Sequence, residues 1–219
     1  MNQNAPLRRT QEERSARTVD ALRAATVALM VEVGYVNTTT DRISKRAGVS
    51  RGALLHHFAD KTDLVIDATG AMWDSSVAAT RQMSASFAAG EIDLAAFIDG
   101  LWSRSFSETS VSVTIDMIIA ARADARLAAH LSEALEGRLF AAYAEAADVM
   151  FAGADLSADQ RRVAMTMATS LIRGLRVADM MQADPALIAA VRGSLVGMLT
   201  TILHSKGAFL QLPVAEAFE

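Results

Sequence analysis

The chain has 219 residues, of which 52% are hydrophobic, so it is long enough for one small and one medium domain with buried cores. It contains no cysteine, which excludes disulfide bonds and thiolate metal sites and suits a reducing cytoplasm. The net charge of −4 is unevenly distributed: residues 1–61 hold ten Lys and Arg against six Asp and Glu, and residues 62–219 hold eleven against nineteen. A locally basic part can bind phosphates although the whole chain is acidic.

Neither secretion nor a membrane span is expected from the pattern of hydropathy. The N-terminal residues are charged where a signal peptide needs an apolar stretch. The longest uncharged stretch, residues 193–205, has 13 residues, whereas a spanning helix needs roughly 18 to 20. We therefore expect a cytoplasmic protein.

The N-terminal part is predicted to be an arm followed by a helix. Residues 1–13 are polar, which is typical of a flexible arm. From Arg14 onward the apolar residues recur near helical spacing, for example at Leu22 and Leu29. Gly34 is expected to end this helix.

Two short helices joined by a tight turn are predicted over residues 39–58. A hydroxyl of Thr39 or Thr40 can cap the first helix by accepting a bond from an unpaired backbone N–H. Gly48 is expected to end it, because glycine enters the left-handed conformation at little cost. Ser50 is expected to begin the second helix. This pattern indicates a helix-turn-helix that binds DNA.

The second of these helices is predicted to have one buried and one outward face. Leu54 and Phe58, at positions i and i+4, face a core. The outer side is then formed by Arg51, Gly52, Leu55 and His56. A small and basic helix start suits the DNA major groove, because bulky or acidic residues there would clash with or repel the duplex.

Residues 38–64 resemble the N-terminal domain of TetR-type transcriptional regulators, whose pattern is roughly T-T-x-x-x-I-A-x-x-A-G-V-S-x-G-x-L-Y-x-H-F-x-x-K-x-x-L. The matching residues are Thr39, Ile43, Ala47, Gly48, Val49, Ser50, Gly52, Leu54, His57, Phe58, Lys61 and Leu64. Ser44 stands where alanine is usual. Leu55 stands where tyrosine is usual, which removes a hydroxyl that commonly reaches the DNA backbone in this family.

The resemblance implies a three-helix DNA-binding domain over residues 14–66 and a helical domain for effector binding and dimerisation over residues 67–206, followed by a tail at residues 207–219. The lack of strand-like alternation also predicts an all-α fold, with about nine helices. The expected DNA-binding residues are Thr39, Thr40, Ser50, Arg51, Gly52, Leu55, His56, His57 and Lys61. Arg51 and Gly52 are expected to face base edges.

A homodimer is predicted from two helices near the C-terminus, residues 158–181 and 185–204. Both carry apolar or small residues on more than one face, so each is either central to a large core or half of an intersubunit bundle. The pair also resembles the closing helices of TetR-type proteins, which form a four-helix dimer interface. The expected interface residues are Met167, Gly174, Ala178, Val191, Leu195 and Met198.

A pocket for a small, mostly apolar effector is expected among the helices of the C-terminal domain. Aromatic and methionine residues there belong more often to a core than to a pocket, but flexible methionine also lines adaptable cavities. The candidate pocket residues are Met72, Trp102, Met117, Phe140, Tyr143, Met165, Arg173 and Arg176.

The two arginines in this set have two interpretations. Arg173 or Arg176 forms an ion pair with a carboxylate such as Asp179 or Glu145, or one of them recognises a carboxylate or phenolate of the effector. Both interpretations agree with their spacing on one stripe of a helix.

No metal, cofactor or enzyme chemistry is expected. His56 and His57 are adjacent, so on a helix they point about 100° apart and cannot share a metal as an i, i+4 pair could. Neither a nucleophile elbow, a phosphate loop nor a glycine-rich dinucleotide motif accompanies the Ser, Asp and His residues.

The leading hypothesis is a dimeric repressor that binds a palindromic operator and releases it when an effector occupies the C-terminal domain. A constitutive or protein-switched DNA-binding regulator with a filled body core is one alternative. A helical small-molecule binding protein or enzyme is the other.

Overall fold

The computed structural model describes residues 11–181 and 184–204, and within these residues the backbone forms nine helices and no strand. The helices are α1 (Gln11–Asn37), α2 (Thr40–Ala47), α3 (Arg51–His57), α4 (Lys61–Ala88), α5 (Leu94–Gly100, continued by the π-helical segment Leu101–Ser105), α6 (Glu108–Ala121), α7 (Ala125–Ser132, continued through the π-helical segment Glu133–Leu139 to Phe140–Met150), α8 (Ala158–Met180) and α9 (Pro185–His204). The prediction of an all-α fold with about nine helices is confirmed.

Helix α1 begins earlier than predicted. Residues 11–13, which were expected to belong to a flexible arm, form its first turn. Glu12 and Glu13 lie in that turn, where negative charge is favourable next to the helix dipole. Residues 1–10 of the predicted arm and the predicted tail at residues 207–219 lie outside the described part of the chain.

The described chain divides into two compact units. Unit 1 contains residues 11–71 and 113–130, and unit 2 contains the described residues of 72–112 and 131–204. The division falls within α4, shortly after the predicted domain boundary at residue 66. Unit 1 also includes most of α6 and the start of α7, which were predicted to belong to the C-terminal domain. Which functions the two parts have stays a prediction at this point.

The core of unit 1 joins the first four helices. Its buried residues are Leu22, Ala25, Leu29, Ile43, Leu54 and Leu64, with Val33, Ala47, Val49 and Phe58 partly buried against them. Leu54 and Phe58, which were predicted to face a core, are both in this set. The two short helices α2 and α3 cannot be stable alone, so their packing on α1 and α4 holds them in place.

The core of unit 2 is larger and draws on α4, α5, α7, α8 and α9. Its aromatic members are Phe97, Phe106, Tyr143 and Phe151, and α9 contributes Leu195, Leu199 and Ile202. Leu195 is only 1% exposed within its own chain. Its assignment to the dimer interface is therefore wrong, because a side chain that already fills the core of one subunit cannot present its surface to another.

Helix α9 is long and apolar enough to cross a membrane by length and composition alone. This differs from the expectation based on uncharged stretches, because Arg192 is the only charged residue within the helix. One face of α9 packs into the core of unit 2 through Leu195, Leu199 and Ile202. The apolar composition of α9 is therefore explained in part by the fold itself.

The core position of Leu195 predicts the effect of shortening it. Leu195→Ala should lower the free energy of unfolding by about 2 to 5 kcal/mol, since it removes buried methyl groups and leaves a cavity. Ser194→Ala, at an exposed neighbouring position, should change stability by less than about 0.5 kcal/mol. Urea denaturation at one fixed protein concentration measures both values. Equal stability of the two variants would contradict the core assignment.

Candidate nucleic-acid interface

Hydroxyl groups cap both helices of the helix-turn-helix and fix where each begins. Thr39 Oγ1 accepts the backbone N–H of Arg42 at 3.3 Å, and Ser50 Oγ accepts that of Ala53 at 3.1 Å. Each bond satisfies an N–H group that a helix start leaves unpaired. Of the two threonines considered, Thr39 is the cap of α2 and Thr40 is its first residue.

The turn between α2 and α3 depends on Gly48, whose φ of 68° and ψ of 28° lie in the left-handed region. Its N–H donates to the Lys45 carbonyl at 3.3 Å, and the Val49 N–H donates to the Ser44 carbonyl at 3.0 Å. These bonds close the last turn of α2. Because Leu54 anchors α3 in the core, the outward face of α3 has one defined orientation.

The outward face of α3 contains the residues that the sequence predicts for it. Arg51, Gly52, Leu55 and His56 are exposed, with Leu55 48% exposed, whereas His57 is half-buried. Around the start of the motif Thr39 and Ser50 are exposed and Thr40 is half-buried. The face is thus small and basic at its N-terminal end and apolar at Leu55, which suits entry into a major groove. Which bases or phosphates these residues contact stays a prediction.

Arg51 is not free on this face, because its guanidinium lies 3.2 Å from the Asp41 carboxylate of α2. Both side chains are more than half exposed, so water and salt weaken the pair and a DNA phosphate or base can compete for the arginine. Asp41 is not among the residues predicted for this site. In the sequence, an acidic residue in the first turn of α2 indicates only a favourable interaction with the helix dipole. The structure reveals that it also lies beside Arg51.

Three further basic residues lie exposed on α2: Arg46, which pairs with Glu32, and the two residues Arg42 and Lys45. The Arg42 guanidinium donates to the Asn37 carbonyl at 3.0 Å. Their spacing of three residues, which places them on one side of a helix, is a signal that could have added them to the predicted DNA-binding set. They extend the positive surface beside α3.

Lys61 has a structural role that was not predicted. Its ammonium group donates to the Tyr35 carbonyl at 2.6 Å and lies 3.8 Å from the centre of the Tyr35 ring. Burial lowers the pKa of the Lys61 ammonium group. This lysine therefore ties the start of α4 to the end of α1, in addition to the phosphate contact expected of it.

The end of α1 is held from a second side by α6, also within unit 1. The Tyr35 backbone N–H donates to the Asp116 carboxylate at 2.7 Å. Gly34, with a φ of 76°, interrupts the helical backbone three residues before α1 ends, and a Cβ at this position would lie 3.4 Å from that carboxylate. The chain therefore enters α2 from a fixed position.

In unit 2, the structure brings four of the eight predicted effector residues together. Phe140 and Tyr143 of α7 and Met165 and Arg173 of α8 line one cavity. The other four lie outside this cavity, where Trp102 and Arg176 contact each other. Met72 lines a separate cleft along α4. The ring of Trp102, in the continuation of α5, lies against the guanidinium groups of Arg176 and Arg192. Met117 is fully buried in unit 1.

Arg176 is a structural residue, so its predicted role in effector binding is wrong. Its guanidinium donates to the carbonyls of Phe106 and Trp102, both at 2.9 Å, and pairs with Asp179 at 2.8 Å. It also lies 3.6 Å from the centre of the Trp102 ring. The ion pair with Asp179 was one of the two interpretations. Glu145, the other carboxylate considered, pairs with Arg81.

Within residues 11–181 and 184–204, no group of three or more His, Cys, Asp or Glu residues could hold a metal ion. The His56 and His57 rings lie 5.2 Å apart in an edge-to-face arrangement.

The fold and this face define a helix-turn-helix DNA-binding protein with a helical body. Residues 22–68 match the family model described as bacterial regulatory proteins, tetR family. The HTH-type transcriptional regulator CymR of Pseudomonas putida is 27% identical over 190 residues, which cover 87% of this chain and 93% of that one.

Solved structures agree at the level of the fold. A transcriptional regulator from Rhodococcus sp. Rha1 has a TM-score of 0.64 at 18% identity, covering 85% of this chain and 96% of that one. The regulator FadR from Bacillus subtilis, solved in complex with stearoyl-CoA, has a TM-score of 0.61 at 18% identity, covering 82% and 96%.

Residues 22–68 therefore resemble the DNA-binding domain of TetR-type regulators, and over most of its length the chain is similar to a transcriptional regulator. Its relatives are regulators and not enzymes, so the enzyme alternative is set aside.

The pair between Arg51 and Asp41 predicts that Asp41 restrains DNA binding. Asp41→Asn should raise affinity for DNA severalfold and steepen its salt dependence, because it frees Arg51 and removes a negative charge beside it. Fluorescence anisotropy over a salt series measures both. Glu133→Gln, which changes the net charge equally at an exposed position of unit 2, is the control and should have little effect. Unchanged affinity in Asp41→Asn would show that the pair does not compete with DNA.

Proposed function

We propose that the chain is a homodimeric repressor that binds a palindromic operator through α3 and releases it when a small molecule binds unit 2. The observation that carries this proposal is the outward face of α3, whose exposed Arg51, Gly52, Leu55 and His56 lie on a helix capped at its start and anchored in the core. In this proposal Arg51 and Gly52 meet base edges. Thr39, Thr40, Ser50, His56, His57 and Lys61 hold the phosphate backbone.

The proposed dimer rests on an apolar surface of α8 and α9 that a single chain leaves uncovered. Met167, Leu171, Met181 and Leu187 are between 37% and 78% exposed. Gly174 is exposed in the same part of α8, and a Cβ there would meet nothing within 4 Å of its own chain. Apolar surface on two adjacent helices is favourable to bury against a second copy.

The predicted interface residues other than Leu195 fit this surface to different degrees. Met167 and Gly174 are exposed, and Ala178, Val191 and Met198 are half-buried. A helix rich in small residues permits close approach of another helix, and Gly197 of α9 is also exposed. We include these five residues and Gly197 in the proposed interface.

A dimer also explains the proposed operator. A two-fold symmetric protein reads two half-sites about 34 to 36 Å apart, or a multiple of that, so its operator has matching symmetry. A protein that binds an operator in genomic DNA acts in the cytoplasm.

The proposed response to an effector rests on the cavity between α7 and α8. FadR of Bacillus subtilis, which shares the fold, was solved with stearoyl-CoA. In this chain the cavity is lined by both apolar and charged side chains, which is typical of a small-molecule site. An effector can bind more tightly to a conformation in which the recognition helices are wrongly spaced for the operator. It must then weaken DNA binding by the same factor by which DNA weakens binding of the effector. The cavity favours this over a constitutive regulator with a filled core.

The proposal is tested by selecting bound fragments of genomic DNA with the purified chain and measuring their binding by fluorescence anisotropy. Symmetric fragments and affinity that falls with salt are expected. Arg51→Ala should lose about 1 to 3 kcal/mol on the selected sequence and relax base preference. The absence of any salt-sensitive DNA binding would refute the proposal.

The interface is tested by charging its exposed part. Met167→Glu should halve the mass measured by light scattering while helix content by circular dichroism stays unchanged, because two unpaired charges would be buried in the dimer. Ile119→Glu, at another exposed apolar side chain but on α6, is the matched control and should remain dimeric. An unchanged mass for Met167→Glu would remove this surface from the interface.

A further inference from the structure

The cavity between α7 and α8 has a buried floor and an exposed mouth. Its volume is about 220 Å³. Tyr143, Met165 and Thr169 are buried, whereas Phe140 and Arg162 are exposed at its edge. All of its lining residues belong to unit 2. The cavity therefore offers a mixed polar and apolar surface that is closed on one side and open to solvent on the other.

The charges around this cavity are unusual for unit 2, which is acidic. Residues 72–112 and 131–219 hold nine Lys and Arg against fifteen Asp and Glu. Five arginines of the described part of unit 2 pair with a carboxylate within 4 Å: Arg81, Arg138, Arg161, Arg176 and Arg192. The other three described arginines of unit 2 form no such pair with a described residue: Arg104 lines two other clefts, whereas Arg162 and Arg173 both line this cavity. No carboxylate is among the lining residues, so the cavity favours a negative ligand.

Tyr143 supplies a second polar group that lacks a partner. Its side chain is 4% exposed and its ring stacks on Phe106, with 5.7 Å between ring centres. Its hydroxyl is buried and forms no hydrogen bond with any described residue. Burial raises the pKa of this hydroxyl well above its ordinary value, and the nearby charge of Arg173 opposes that rise only in part. At neutral pH it is therefore a hydrogen-bond donor without an acceptor.

We propose that this cavity binds a small monocarboxylate with an apolar body, whose carboxylate meets the Arg173 guanidinium and the Tyr143 hydroxyl. The proposal rests on the proposed function, since this ligand would be the effector. Arg173 is half-buried and its guanidinium lies 5.6 Å from the Phe106 ring centre, so a charge-assisted bond there is poorly screened. Phe140 and Met165 then contact the apolar body.

The dimensions of the cavity limit the ligand. A space of about 220 Å³ suits a compact acid, and a long acyl chain would extend out through the mouth. Arg162 precedes Arg173 by eleven residues, which places their backbones about 16 Å apart along α8. One small carboxylate therefore cannot use both arginines fully, and Arg162 is expected to act only at the mouth.

The test compares three acids with their neutral amides by calorimetry on the full chain: benzoate with benzamide, phenylacetate with phenylacetamide, and hexanoate with hexanamide. At least one acid should bind tenfold or more tightly than its own amide, because the amide cannot pair with Arg173. If no acid exceeds its amide, the proposal is overturned.

Three variants locate the site. Arg173→Met should reduce the preference for the acid at least tenfold, and Tyr143→Phe should weaken binding severalfold. Arg162→Met removes the same charge from the mouth and should weaken binding less than threefold. Equal losses in Arg162→Met and Arg173→Met would indicate general attraction by positive charge and contradict the assigned anchor.

A stability measurement separates a ligand contact from a structural role of Tyr143. Since its hydroxyl has no partner, Tyr143→Phe should keep or raise the melting temperature of the free protein while it weakens binding of the acid. A lower melting temperature with unchanged affinity would refute the role in binding.

DNA binding distinguishes failure of this proposal from failure of the proposed function. A chain that binds the acid but no DNA keeps the carboxylate site and loses the proposed repressor. A chain that binds DNA but none of the acids loses the carboxylate site alone. Release of selected DNA by the acid in the wild type, lost in Arg173→Met, would support both.

Discussion

The arrangement of the DNA-binding helices depends on how the backbone of Tyr35 is held at the end of α1. Its N–H donates to Asp116 of α6 and its carbonyl accepts from Lys61 at the start of α4. Both bonds involve a charged partner, which makes them stronger than neutral hydrogen bonds. Gly34 provides the left-handed backbone that turns the peptide toward both groups. Because α2 and α3 follow directly, their position in unit 1 is set by contacts of α1 with α4 and α6, which are distant from one another in sequence.

Local sequence signals were enough to predict the helix-turn-helix, but the contacts that position it within unit 1 could not be predicted. The caps at Thr39 and Ser50 and the left-handed Gly48 act within four residues, so sequence spacing is enough to find them. The bond between Tyr35 and Asp116 joins residues 81 positions apart. Similarly, Arg173 and Arg176 lie on one stripe of α8, and only the carbonyls of Trp102 and Phe106 distinguish their roles.

The periodicity of apolar residues also failed to predict which residues are buried where a helix is apolar on several faces. In α9 the residues Leu195, Leu199 and Ile202 pack into the core of unit 2, whereas Leu187 is exposed. A hydrophobic pattern that covers most of the helix surface does not say which side meets its own subunit. The same composition accounts for the resemblance of α9 to a membrane span. A core face and a second face covered by another copy would together remove most of its apolar surface from water.

Helix α8 links the two proposed functions of unit 2. Met165, Thr169 and Arg173 line the cavity on one side, and Met167 and Gly174 belong to the proposed interface on the adjacent side. A rigid helix transmits a small rotation along its whole length, so a ligand that restrains Arg173 also restrains the interface stripe. Linkage then requires only that the ligand and DNA prefer different rotations, and a typical coupling of about 1 to 3 kcal/mol changes DNA affinity roughly 5- to 150-fold.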